Sequence, residues 1–150
     1  WMGMVGCGLL LVGGTVFHTV VYFTEVHEGY ERISFETLRV SNEDLAAGAE
    51  LPTQWNEKRI FVKGYVHPGV TSMGSVRRFV LVPDMGTCCF GGQPAYTDMI
   101  EVRIVGEADG IRYSTRKRRL AGTFRVRSQL RKVAGGLTGG YYELEADYVK

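Results

Sequence analysis

Histidine, cysteine and proline are scarce in this chain of 150 residues, at three, three and four copies. Each scarcity removes a class of function. Three cysteines do not make the disulfide framework of a small secreted scaffold, and one of them, Cys7, sits in an apolar run. Of the histidines, His18 and His27 lie in or beside that run, which leaves His67 alone for acid–base work in the rest of the chain. No Ser/His/Asp order, phosphate-binding glycine loop or His-Glu-x-x-His motif occurs, so the sequence reads as noncatalytic. A strong charge of one sign is missing too. The net charge is +2, too small a surplus to mark a nucleic-acid binder, and nucleic acid is set aside as a partner.

The most telling absence is local. Residues 1–23 hold no charged side chain and are rich in Leu, Val, Met, Phe and Gly. At roughly 1.5 Å per residue such a run crosses a hydrocarbon core of about 30 Å. A cleaved signal peptide does not fit, because Thr24-Glu25-Val26-His27-Glu28 offers no small-residue cleavage site. A lipidated Cys7 does not fit either, because the apolar run continues well beyond it. The expectation is a single transmembrane helix over residues 1–24, a connecting segment over 25–57 with one short helix, and a β domain over 58–150. The flank after the helix carries Glu25, Glu28, Glu31 and Glu36 against Arg32 and Arg39. It lacks the Lys/Arg excess of a cytoplasmic loop, which places the domain in the periplasm on a bacterial inner membrane. Within the run, His18 is either a ligand to haem or a chlorophyll-type pigment, or a neutral side chain reaching toward the headgroups.

The remainder reads as strand-rich. Residues 33–38 form a short strand or a helical turn capped by Ser34. Ser41-Asn42-Glu43-Asp44-Leu45-Ala46-Ala47-Gly48 is a short helix with an N-cap, an acidic first turn and a terminating glycine. Residues 59–68, 76–82, 99–105, 120–126 and 141–149 share strand composition and length, separated by turn residues. In the last of them Tyr142, Leu144, Ala146 and Tyr148 fall on one face, with Glu143, Glu145 and Asp147 on the other. Gly64 in the middle of the first marks a strand that must bend. Five strands with a bent first one predict a small Greek-key barrel of the oligonucleotide/oligosaccharide-binding (OB) type.

Three features carry possible chemistry. Cys88 and Cys89 stand side by side in the turn after Val82. They form a strained, reducible ring, or supply thiolates to a soft metal with Asp84 as a further donor, or simply fill a tight turn. If the first two strands pair along their length, that turn lies near residues 55–59 and far from His67. Arg116, Lys117, Arg118 and Arg119, with Arg112 before them, form the strongest charge cluster. They are a solvated loop, or a contact for anionic lipid or an acidic subunit. Tyr65, Tyr141 and Tyr142 are aromatic surface for a ligand, or core packing.

One set of motifs carries a resemblance. Ile33-Ser34-Phe35-Glu36-Thr37-Leu38, then Gly64-Tyr65-Val66-His67-Pro68, then Phe79-Val80-Leu81-Val82-Pro83 with Gly86-Thr87-Cys88 resemble a family of exported bacterial proteins built on a domain of unknown function, number 3299. Many of its members follow the cysteine with a histidine two positions on and a run of prolines. This chain has Cys89-Phe90-Gly91-Gly92-Gln93-Pro94 instead, which leaves a shared metal site short of a ligand. The resemblance implies an OB-like fold and association with membrane transport systems, some linked to metal uptake. The expected role is a noncatalytic accessory subunit whose partners are the bilayer and the integral subunits of a transport, respiratory or photosynthetic complex. The alternative is a periplasmic metal- or redox-handling module centred on Cys88 and Cys89.

Overall fold

The computed structural model describes residues 29–69, 74–86, 94–132 and 140–150. Residues 1–23, with Cys7 and His18, lie outside the described residues, as do His27, Cys88 and Cys89. No helix among the described residues is long and apolar enough to cross a membrane.

Six strands form one sheet: β1 (Glu31–Arg32), β2 (Arg59–Val66), β3 (Arg78–Val82), β4 (Ile100–Ile104), β5 (Arg118–Val126) and β6 (Tyr142–Val149). Their order is β1-β2-β3-β4-β6-β5, and β5 also pairs with β2. That extra pairing closes β2, β3, β4, β6 and β5 into a five-stranded barrel, with β1 added in parallel to β2. Neighbours in the barrel are antiparallel except β4 and β6, which are parallel. The architecture is mainly β with few helices, as the alternation predicts.

The period of two explains the core. Ile60, Val62 and Val66, Phe79 and Leu81, Ile100, Val102 and Ile104, Leu120 and Phe124, and Tyr142, Leu144 and Ala146 are all buried in a single interior cluster. Each large side chain so buried contributes about 1.5–3 kcal/mol of transfer free energy. The rings of Phe124 and Tyr142 stack at 5.3 Å with a 35° tilt. The segment expected as a mere connection also supplies core. Helix α1 (Phe35–Leu38) sends Phe35 and Leu38 into the same cluster, together with Ile33 just before it. Ser34 stands at the N-cap position, although its hydroxyl faces the Thr37 hydroxyl at 3.2 Å and caps no backbone N–H. Helix α2 (Asn42–Ala46) is capped in full: Ser41 Oγ accepts from the Asp44 amide at 2.9 Å, and Gly48 ends it with φ +95°. Residues 107–117 form a loop, joined to Val76 by an antiparallel bridge at Ile111.

Two glycines set the shape. Gly64 is the last residue of β2 paired with β5, through Arg118, and Tyr65 is the first paired with β3, through Val82. A Cβ at Gly64 would stand 2.7 Å from Leu81 Cγ and 2.8 Å from the Val82 carbonyl oxygen, so only glycine lets β2 change partner there. At Gly122 a Cβ would stand 1.9 Å from the Glu145 carbonyl oxygen. Here the β5–β6 register slips, with Ala121 opposite Tyr148 and Gly122 opposite Ala146. Asp147 is thereby the extra residue of a bulge. The slip corrects one expectation: Tyr148 does not continue the buried face of Tyr142, Leu144 and Ala146, and Val149 packs against the core in its place.

Replacing Gly64 with Ala is expected to cost about 2 kcal/mol by overpacking. Gly74→Ala, where a Cβ meets nothing within 4 Å, is expected to stay within about 0.5 kcal/mol of wild type. Denaturant unfolding of the two variants measures the difference.

Candidate functional site

The Cys88–Cys89 turn springs from two described stems, 83–86 at the end of β3 and 94–99 before β4, and the chain around residue 40 ties down the second. Thr97, fully buried, donates from Oγ1 to the Val40 carbonyl at 2.7 Å and accepts from the Val40 amide at 3.0 Å. One residue on, Asp98 Oδ1 accepts from Arg39 Nε at 2.9 Å. Tyr142 Oη, buried, donates to the Leu38 carbonyl at 2.7 Å. Residues 38–40 therefore act as a strap from α1 across the root of the turn. Burial pushes the Tyr142 phenol well above its ordinary range, with the nearby Asp98 charge adding to the effect. The hydrogen bond to Asp98 raises the Arg39 guanidinium above its ordinary value, and Asp84 adds a smaller Coulombic contribution.

This geometry bears on the proposed donors. Asp84 stands at the stem within the field of Arg39, and Asp98 is already held by that cation. Among the described residues no group of three or more His, Cys, Asp and Glu is placed to hold a metal ion. The oxygen donors that a cation near the turn would use thus share their surroundings with a guanidinium. His67 is nearer than the sequence reading placed it. Val82 pairs with Tyr65, and the His67 amide donates to the Val80 carbonyl at 2.8 Å, so the turn departs beside Gly64 and Tyr65 rather than beside residues 55–59. The reason is the long 67–77 connection, which slides β3 toward the far end of β2. Even so, the His67 ring is engaged: Nδ1 accepts from the Gly69 amide at 3.0 Å, and burial lowers its pKa below the usual imidazole value.

The basic cluster divides by role. Arg118 donates to the Arg112 carbonyl and to Ser114 Oγ, both at 3.2 Å, and so fastens its own loop. The Arg119 backbone exchanges both hydrogen bonds with Lys150. Arg116 and Lys117 are exposed, and the Lys117 ammonium stands 5.6 Å from the centre of the Tyr65 ring. Lys117 also borders a cleft of about 530 Å³ between α1 and β2, together with Arg32, Arg39, Lys63 and Glu36. Of the tyrosines considered as ligand surface, Tyr142 is core, whereas Tyr65 and Tyr141 are partly buried.

What sequence reasoning missed is a network of ion pairs on the outer wall. Glu101 and Glu143 are register partners on β4 and β6, two carboxylates side by side. Arg127 lies between them, with Nη2 at 2.8 Å from Glu101 Oε2 and its Nε at 3.1 Å from Glu143 Oε2. Arg78 reaches Glu101 Oε1 at 2.8 Å from the other side. Burial, the largest influence on Glu101, works to raise its pKa, but the two arginines outweigh it and leave the carboxyl below its ordinary value. Next to this group Glu145 receives both Arg103 and Arg125, and Arg125 also reaches Glu57. The only signal in the sequence was charge on alternate residues of three strands.

With the fold and its stems in view, the solved structures give a counterpart. A DUF3299 family protein from Pseudomonas aeruginosa superposes with a TM-score of 0.60 at 19% identity, covering 81% of this chain and 95% of that one. This chain has the DUF3299 fold. That neighbour belongs to the family that the Leu81-Val82-Pro83 and Gly86-Thr87-Cys88 motifs resemble. The sequence matches no protein-family model and no curated protein, so the DUF3299 likeness speaks for architecture and leaves activity to the site.

Arg127→Leu is expected to destabilise the protein by about 3 kcal/mol at pH 7, because it leaves Glu101 and Glu143 facing each other with the first of them 3% exposed. The depressed Glu101 pKa means that its contribution is present above the unfolded carboxylate range and lost as pH falls through the folded value. The gap between variant and wild type should therefore shrink below about pH 4, where carboxylates become protonated. Thermal melts across pH 3–8 measure this.

Proposed function

We propose that this protein is a noncatalytic accessory subunit of a bacterial membrane complex, in which residues 1–24 span the inner membrane and the barrel stands over the complex on the periplasmic side. The observation that carries the reading is how the chain enters the barrel. Within its first described residues the chain is already fixed to the barrel. Glu31 and Arg32 pair in parallel with Ile60 and Phe61. Tyr30 Oη donates to Asp147 Oδ1 at 2.7 Å and also receives Arg59, which is 3.1 Å from Asp147 Oδ2 and stacks over the Tyr30 ring at 4.4 Å. Such a clamp makes residues 30–32 part of the barrel and leaves few residues between them and the run at 1–24, which suits a domain held close to neighbouring subunits.

The strand order supports assigning the barrel to the OB type: with β1 set aside, it runs first, second, third, fifth, fourth and back to the first, with a parallel pair between the third and fifth. The filled interior supports a scaffold role, since Phe79, Phe124 and Tyr142 occupy the space where a ligand-binding barrel keeps a cavity. The alternative, metal or redox handling by Cys88 and Cys89, draws on the pinned stems of their turn. Arg39 beside Asp84 and Asp98 weighs against the metal form of it.

Gentle detergent extraction followed by native mass spectrometry is expected to show the chain bound to larger integral subunits. A lone monomer under those conditions overturns the proposal. Elemental analysis and thiol titration of the same sample decide the alternative, which requires bound metal or a disulfide that opens under mild reductant.

A further inference from the structure

We infer that the loop of residues 112–117 docks an acidic segment of a partner protein, an inference that rests on the accessory-subunit reading above and names one contact for it. The loop is built before any partner arrives. At its start Ile111 is buried in the core and exchanges both backbone hydrogen bonds with Val76, at 2.8 and 2.9 Å. At its end Arg118, the first residue of β5, reaches back to the Arg112 carbonyl and to Ser114 Oγ. Pinned at both ends, the loop has little freedom left to lose, and the ordering of loops and side chains is a main cost of association.

What the loop presents fits a protein. Tyr113 is the one large hydrophobic side chain exposed among the described residues, and exposed cations flank it at Arg112 and Arg116. Lys117 is already engaged by the Tyr65 ring. Neither Arg112 nor Arg116 has an ion pair or hydrogen bond through its side chain among the described residues, unlike Arg78 and Arg127 on the wall, which hold Glu101. Tyrosine and arginine are the side chains in which interface affinity concentrates, and a guanidinium pairs with a carboxylate through two parallel hydrogen bonds. The surroundings select polypeptide over other anions. Arg112 lines a cleft of about 450 Å³ together with Asp109 and Asp147, so a bilayer or nucleic acid, negative throughout, meets those carboxylates as well as the arginine. A polypeptide sets its carboxylates on Arg112 and Arg116 and an apolar side chain on Tyr113, and leaves the aspartates to water.

The test uses the full chain in neutral detergent, titrated by calorimetry with the peptides Glu-Glu-Phe-Glu-Glu and Glu-Glu-Ser-Glu-Glu, with hexathymidylate and with dihexanoyl phosphatidylglycerol. The phenylalanine peptide should bind about fivefold more tightly than the serine peptide, and more tightly than the other two. Tyr113→Ser should abolish the preference between the peptides, and Arg112→Gln/Arg116→Gln should lose about fivefold in affinity for both. Arg131→Gln/Lys132→Gln, exposed cations elsewhere, should lose nothing. If the double loop variant lacks the wild-type circular dichroism spectrum, Tyr113→Ser carries the test alone. Equal binding of the two peptides, or wild-type behaviour in a folded loop variant, overturns the inference. Tighter binding of hexathymidylate makes the loop a nucleic-acid contact, and tighter binding of phosphatidylglycerol makes it a lipid contact; either result also overturns it. The accessory-subunit reading fails by a separate sign, the lone monomer in native mass spectrometry, which leaves the titration itself unaffected.

Discussion

Barrel closure depends on one strand serving two partners. β2 gives its first six residues to β5 and its last two to β3, and the exchange takes place at Gly64, where Leu81 and the Val82 carbonyl approach too closely for any side chain. The bend also sets where β3 ends, and hence where the Cys88–Cys89 turn leaves the barrel. Lys63 and Pro83, both next to this bend, line the cleft that α1 borders. Shape, turn and cleft thus follow from a single close approach.

A second constraint, the bulge at Gly122, works in a similar way on the opposite side of β5. By displacing Asp147 out of the ladder, it provides the acceptor that Tyr30 and Arg59 need. The chain's entry into the barrel is therefore held by a residue that regular pairing would have spaced differently. A bulge used in this way re-aims one side chain, here at the cost of shifting Tyr148 off the buried face.

The elements that a period of two defines were legible in the sequence: the five barrel strands, the bend at Gly64 and the alternating faces of β6 up to the bulge. The capped helix at Ser41 was legible as well, since its cap, acidic turn and terminal glycine are local. What depends on register was not. The sequence places Glu101 and Glu143 on two separate strands and Arg127 just past a third, and only the parallel β4–β6 pairing puts the two carboxylates side by side and makes Arg127 necessary between them. The position of the turn after Val82 was misjudged for the same reason, because a long 67–77 connection leaves the slide of β3 along β2 unspecified. Phe35 and Leu38 had helical spacing, but nothing in the sequence said that their partner was the barrel interior. Of the candidate site, Cys88 and Cys89 lie outside the described residues, and the stems that flank them carry the geometry.

The distribution of charge then decides which surfaces remain available for recognition. On the wall formed by β3, β4, β6 and β5, arginines and glutamates largely satisfy one another, and an ion pair already held within 3 Å has little to offer an incoming charge without first being broken. Around α1, Arg39 is likewise held by Asp98. A partner docking on the wall must therefore be matched by shape.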